Sequence, residues 1–158
     1  KGVTFIVQPL WGSIGYTLPA ILGAQLAQPH RRVVLIIGDG SAQLTIQELG
    51  TLLRHGLKPV IILLNNDGYT VERAIHGPEE SYNDIAAWNW TKIPSALSVN
   101  GDFSTYKADS VPALEKVLNE VNVPKALTLI EVMLPKMDVP EYLAKLSKAI
   151  AERNAAHE

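Results

Sequence analysis

Short runs of Val, Ile and Leu alternate along the chain with stretches whose apolar residues recur every three or four positions. The runs predict strands over 5–7, 33–37, 60–64 and 127–132, with a weaker candidate at 105–107. The helical spacing predicts helices over 14–28, 45–55, 111–121 and 139–154. Pro19 inside the first of these would cost a helix interior about 3 kcal/mol, so that helix starts later or kinks. Residues 76–90, "HGPEESYNDIAAWNW", have no sustained period and read as a long functional loop or a set of short turns. Val- and Ile-rich runs interleaved with helices predict an α/β fold with a doubly wound, mainly parallel sheet and helices on both faces. No repeat, low-complexity stretch or linker divides the chain, which is expected to be a single domain over 1–158.

Composition narrows the class. The 158 residues are 47% hydrophobic and 19% charged, enough for a packed core. A formal charge of −2 and the lack of any basic run beyond "HRR" at 30–32, itself a turn before a strand, argue against a nucleic-acid partner. The absence of cysteine excludes a disulfide framework, a thiolate zinc site and a cysteine nucleophile, and it suits a cytoplasmic protein. Apolar runs such as "PVIILL" fall far short of the roughly 20 residues of a membrane span. The opening "KGVTFIVQPLWG" has neither methionine nor a charged leader, and reads as the interior of a longer protein.

The candidate chemistry lies where strands end. "GDGS" follows the run "VVLII", and in an open parallel sheet ligands bind beyond the carboxyl ends of the strands. Gly38 and Gly40 leave room for a ligand at the main chain, Asp39 supplies an anionic oxygen, and Ser41 offers a hydroxyl and an amide N–H to a phosphate. Taken alone, Asp-Gly is equally a common turn dipeptide. A second half appears after "VIILL", in "NNDGY" at 65–69. Aspartate, asparagine and backbone oxygens are hard ligands, suited to Mg²⁺ or Ca²⁺ with a diphosphate and water. His30, His55, His76 and His157 are scattered without zinc spacing. No G-x-x-x-x-G-K-[ST] or G-x-G-x-x-G motif is present.

"GDGS", the 24 residues from Ser41 to Leu64, and "NN" resemble the signature of thiamin-diphosphate-dependent enzymes. The likeness continues through "PLWGSIGYTLPAILGAQLA", "NNDGYTVERAIHGPEESYNDIAAWNW" and "LIEVMLPK", covering nearly the whole chain. It is similar to the C-terminal, diphosphate-binding domain of the 2-keto acid decarboxylases, with "QPLWGSIGYT" and "GYTVERAIHG" nearest to the indolepyruvate, phenylpyruvate and branched-chain group. The resemblance implies a thiamin-diphosphate-binding fold and the conversion of a small 2-keto acid to an aldehyde and CO₂. It implies that Asp39, Asn66 and the Gly68 carbonyl hold Mg²⁺, and that Gly40 and Ser41 contact the cofactor. It gives the Gly12 carbonyl to the aminopyrimidine, Ile14 to the bend between the rings, and Val71 and the catalytic Glu72 to the substrate side. It implies also that a helix near the C-terminus covers the site, through Tyr142 or Leu143. N-terminal domains that supply the pyrimidine-activating glutamate, and a homodimer or homotetramer, belong to the same implication.

Read from the residues alone, Glu72 is a solvated helix residue before it is a catalytic one, and Ile14 is equally ordinary core. Trp11, Trp88 and Trp90 read as packing aromatics, and 139–154 as an amphipathic helix on the body. Two other functions share the signature: a carboligase of the acetolactate synthase type, and a cofactor-binding module inactive without partner domains.

Overall fold

The computed structural model describes residues 2–123 and 125–155. Its elements run α1 (Thr17–Ala27), β1 (Val34–Gly38), α2 (Asp39–Gln43), α3 (Glu48–Arg54), β2 (Val60–Asn65) and α4 (Thr70–His76). Two 3₁₀ turns (Ser81–Asn83 and Trp90–Lys92) lead to α5 (Ile93–Leu97), β3 (Phe103–Ala108), α6 (Val111–Glu120), β4 (Leu127–Met133) and α7 (Glu141–Ala155). The strands form one sheet in the order β1-β2-β4-β3, every pairing parallel. The α/β expectation is met.

Alternation along the strands divides the core. Leu35, Ile37, Ile61, Leu63, Leu127 and Leu129 face one side, where Leu18 and Ile21 of α1, Leu49, Leu52 and Leu53 of α3, and Trp90 cover them. Val60, Ile130 and Val132 face the other, under Val117 and Val121 at the end of α6. Trp88 and Trp90 pack with ring centroids 5.2 Å apart, as packing aromatics should. No described helix is long and apolar enough to cross a membrane.

Several predicted elements differ. Residues 5–7 form no strand: no neighbouring strand pairs with them, and Phe5 is 84% exposed. The predicted helix 14–28 begins only at Thr17, after Gly15 at φ 81°, which puts Pro19 in the first turn, where no internal hydrogen bond is lost. The predicted helix 45–55 is α3 alone, beginning at Glu48, and a separate short helix, α2, precedes it over Asp39–Gln43. Residues between them make i→i+3 bonds, such as Thr45 N–H to Ala42 O and Glu48 N–H to Thr45 O, and Thr45 Oγ1 donates to Gly15 O. The last helix begins at Glu141, immediately after Pro140. The weak candidate at 105–107 is a full strand, and α5 was not foreseen. His157 lies outside the described residues.

Candidate functional site

β1 and β2 run in register, Gly38 beside Leu64, so the segments that follow them meet at one edge of the sheet. After β1 the chain turns directly into α2 with Asp39 as its first residue, 1% exposed. After β2 it makes a tight turn through Asn66, Asp67 at φ 60° and Gly68 at φ 123°. Aspartate tolerates the left-handed region better than most residues. Gly68 has no substitute here, since a Cβ would overlap the Asn83 carbonyl as well as lie at an unfavourable φ. Gly40 is constrained by contact instead: a Cβ would overlap the Tyr69 ring.

Asp39 joins the two segments. Its Oδ1 accepts from Gly40 N–H at 2.8 Å and its Oδ2 from Gly68 N–H at 3.1 Å. Burial pushes its pKa above the usual 3.8, and these amide hydrogen bonds oppose the shift only in part. A carboxyl whose folded pKa is raised favours the fold while protonated, a contribution present below the unfolded value and lost as pH rises through the folded one. Ionising Asp39 therefore works against the fold, and a cation beside it would offset that cost.

The Asn66 amide shows where such a cation fits. One of its terminal atoms lies 3.0 Å from Gly68 O and 3.2 Å from Asp39 Oδ1, and the other 3.0 Å from Thr70 Oγ1. Which is nitrogen follows from the hydrogen-bond network. With protein groups alone, nitrogen beside Gly68 O and Asp39 satisfies the most partners. Yet Thr70 Oγ1 donates its proton to Lys136 O at 2.7 Å, leaving its lone pairs free to accept from Asn66 Nδ2. In that orientation Asn66 Oδ1, Gly68 O and Asp39 Oδ1 face one another with no proton between them. Three converging hard oxygens fit Mg²⁺ or Ca²⁺ and are repulsive without a cation. Among the described residues no group of three His, Cys, Asp or Glu side chains offers another metal centre.

Beside these oxygens a cleft of about 270 Å³ opens. It brings together Asp39, Gly40 and Ser41 from one segment, Asn66, Gly68 and Val71 from the other, and Ile14. Ser41 Oγ accepts Gly15 N–H at 2.8 Å and keeps its own proton to donate. Gly12 and Glu72 do not line the cleft. Gly12 is exposed at φ 57°. Glu72 is half-buried on α4, with Oε2 3.5 Å from His76 Nε2. Tyr69, the end of "NNDGY", completes the walls together with Asp138 and Pro140, which no sequence pattern had marked. A proline just before a helix start was the one available signal for the last two, and it does not say which way the chain leads. α7 packs on α4 and puts Leu143 in the wall, while Tyr142 stays exposed.

Residues 1–132 match a protein-family model described as thiamine pyrophosphate enzyme, C-terminal TPP binding domain. The chain is similar to an alpha-keto-acid decarboxylase of Mycobacterium tuberculosis (strain ATCC 25618 / H37Rv), 55% identical over 152 residues, which are 96% of this chain and 27% of that protein. One from Mycobacterium avium (strain 104) is 54% identical over 147 residues, 92% of this chain and 26% of the relative. One from Mycobacterium leprae (strain TN) is 52% identical over 155 residues, 98% and 27% respectively. The chain thus spans about a quarter of the length of the curated relatives it matches.

Proposed function

Because the chain belongs to the thiamine pyrophosphate enzymes, as their C-terminal TPP-binding domain, we propose that it holds thiamin diphosphate and Mg²⁺ in a non-oxidative 2-keto acid decarboxylase of the indolepyruvate, phenylpyruvate or branched-chain type. The observation that carries this reading is that Asp39 Oδ1, Gly68 O and one terminal atom of the Asn66 amide meet within 3.2 Å in the wall of the cleft, an amide atom that a bound cation would set as Oδ1. Asp39, Asn66 and the Gly68 carbonyl would hold Mg²⁺, whose charge would offset that of a diphosphate. Gly40 lines the cleft with the Tyr69 ring packed against it and would present its main chain to the cofactor, and the Ser41 hydroxyl has a proton to donate. Ile14 gives the rings an apolar surface, and Gly12 gives the aminopyrimidine a carbonyl. The bound cofactor supplies an electron sink for the pair left when CO₂ departs, which no side chain can provide.

Val71, 43% exposed beside the cleft, shields the substrate side from water. Glu72, one residue further along α4, holds and returns a proton there as general acid and base. Its carboxyl group points at His76 in this chain, so the role requires a change of rotamer at a half-buried, mobile-length side chain. The 2-keto acid, a homodimer or homotetramer with N-terminal domains supplying the pyrimidine-activating glutamate, and a reducing cytoplasm complete the proposal. Large exposed apolar side chains at Phe5, Leu10 and Trp11 support covering surfaces of that kind.

The test is product analysis with the full-length protein and a panel of indolepyruvate, phenylpyruvate and branched-chain 2-keto acids, with and without thiamin diphosphate and Mg²⁺. Aldehyde that depends on both is the expected result. A 2-hydroxy-2-methyl-3-keto acid made from pyruvate would assign the domain to a carboligase, and no cofactor-dependent product would contradict the reading.

A further inference from the structure

Arg73 is the least expected side chain of the fold. It lies in "TVERAIHG", on a short helix beside a cleft, yet its side chain is wholly buried. A buried guanidinium persists only where acceptors surround it, and here most of them are backbone oxygens of the turn that ends β2. Nη1 donates to Asn66 O at 3.4 Å, and Nη2 to Asp67 O, to Asn83 O at 3.0 Å and to Asp84 Oδ1 at 2.7 Å. The Asn83 carbonyl also accepts Tyr69 N–H at 2.9 Å. Asp84 in turn accepts from Lys136 Nζ at 2.6 Å, and these two cations hold its carboxyl below the usual carboxylate range. One planar group therefore gathers the turn 66–67 and the end of the 3₁₀ turn 81–83, and through Asp84 it is linked to Lys136 after β4.

The turn it grips is the one that presents Asn66 and Gly68 to Asp39. Two backbone carbonyls pulled toward Arg73 fix the peptide planes on either side of Asp67, whose φ of 60° needs support. The opposite side of the same turn is held by Asp39, through Gly68 N–H. We infer that Arg73, set by Asp84, is a positioning residue for the cation site: it holds the 66–68 turn in the shape that aims the Asn66 amide and the Gly68 carbonyl at Asp39. The inference rests on the proposed Mg²⁺–diphosphate reading of the cleft. Lysine cannot replace it, since a single ammonium on a flexible stem cannot present a planar fork to Asn66 O and Asp84 at once.

The experiment measures thiamin diphosphate affinity by calorimetry at fixed Mg²⁺, together with thermal unfolding, in the full-length protein. Arg73→Lys should weaken affinity about 10- to 100-fold, the usual range for partners that orient metal ligands. Asp84→Ala, at a side chain 57% exposed, should weaken it less and in the same direction. Val117→Ala, in the core on the far side of the sheet, serves as control: it should lower the unfolding temperature and leave affinity unchanged. Wild-type affinity in a folded Arg73→Lys protein would overturn the inference, and if that variant does not fold, wild-type affinity in Asp84→Ala overturns it instead. Failure of the wild-type protein to bind thiamin diphosphate with Mg²⁺ would be a different result, contradicting the cofactor reading and the inference with it.

Discussion

The two halves of the proposed cofactor site are built in opposite ways. Residues 65–73, a turn and the start of α4, are held from several directions: Asp39 and Arg73 grip the turn from two sides, and Asn65 Oδ1 accepts Asp67 N–H while Asn65 Nδ2 donates to the buried Glu131 at 2.7 Å. Residues 2–16 carry the other assigned contacts, Gly12 and Ile14, on a segment without regular structure whose apolar side chains face outward, Leu10 86% and Trp11 82% exposed. Electrostatic contacts with a diphosphate need fixed oxygens and amides, and the chain supplies these from its own sheet edge. Apolar contacts with rings need only surface, which other parts of a larger assembly can help to provide.

That contrast can be broken at its rigid end first. Asp39→Ala removes the only carboxylate of the cation site, and with it thiamin diphosphate affinity should fall at least about 100-fold, since the diphosphate charge is left uncompensated; calorimetry with the full-length protein gives the number. Glu72→Gln keeps the volume but not the ionisable proton. Turnover should fall by about 10²- to 10⁴-fold while cofactor affinity stays near wild type. Single-turnover decarboxylation and titration on one preparation separate that outcome from a solvated glutamate, whose loss would leave both unchanged.

At the open end the effects should be smaller. Ile14→Ala should lower turnover about tenfold with only a modest change in affinity, because an apolar support orients the cofactor more than it binds it. An equal loss of affinity in Ile14→Ala and Asp39→Ala would erase the distinction between the halves. Trp11→Ala, at a fully outward side chain, should have the least effect on the domain's own unfolding temperature, within about 0.5 kcal/mol of wild type in stability.

Sequence reading reached the two halves unequally as well. Strands at 33–37, 60–64 and 127–132 were legible to within a residue or so, because short runs rich in Val, Ile and Leu suit a pleated sheet, buried on both faces at 60–64 and 127–132 and on one at 33–37. Asp39, Asn66 and Gly68 were legible from a motif at strand ends, and the fold brings them together. Residues 5–7 carry the same apolar signal as a strand but no neighbour to pair with, which local pattern cannot reveal. Arg73 was missed for the reverse reason. Its burial depends on carbonyls of residues 66, 67 and 83 converging on it, and no periodicity in "TVERAIHG" records that. Asp138 and Pro140 enter the cleft only because α7 packs on α4, a tertiary fact.

The central claim is that Asp39, Asn66 and the Gly68 carbonyl share one divalent cation, and locating the ion tests it most directly. In crystals of the full-length protein grown with thiamin diphosphate and Mn²⁺ in place of Mg²⁺, the anomalous difference map should show one peak within coordination distance of Asp39, Asn66 Oδ1 and Gly68 O, with the Asn66 Nδ2 turned toward Thr70. A peak elsewhere in the cleft, or an Asn66 amide nitrogen still facing Asp39 with the cofactor bound, would contradict the account.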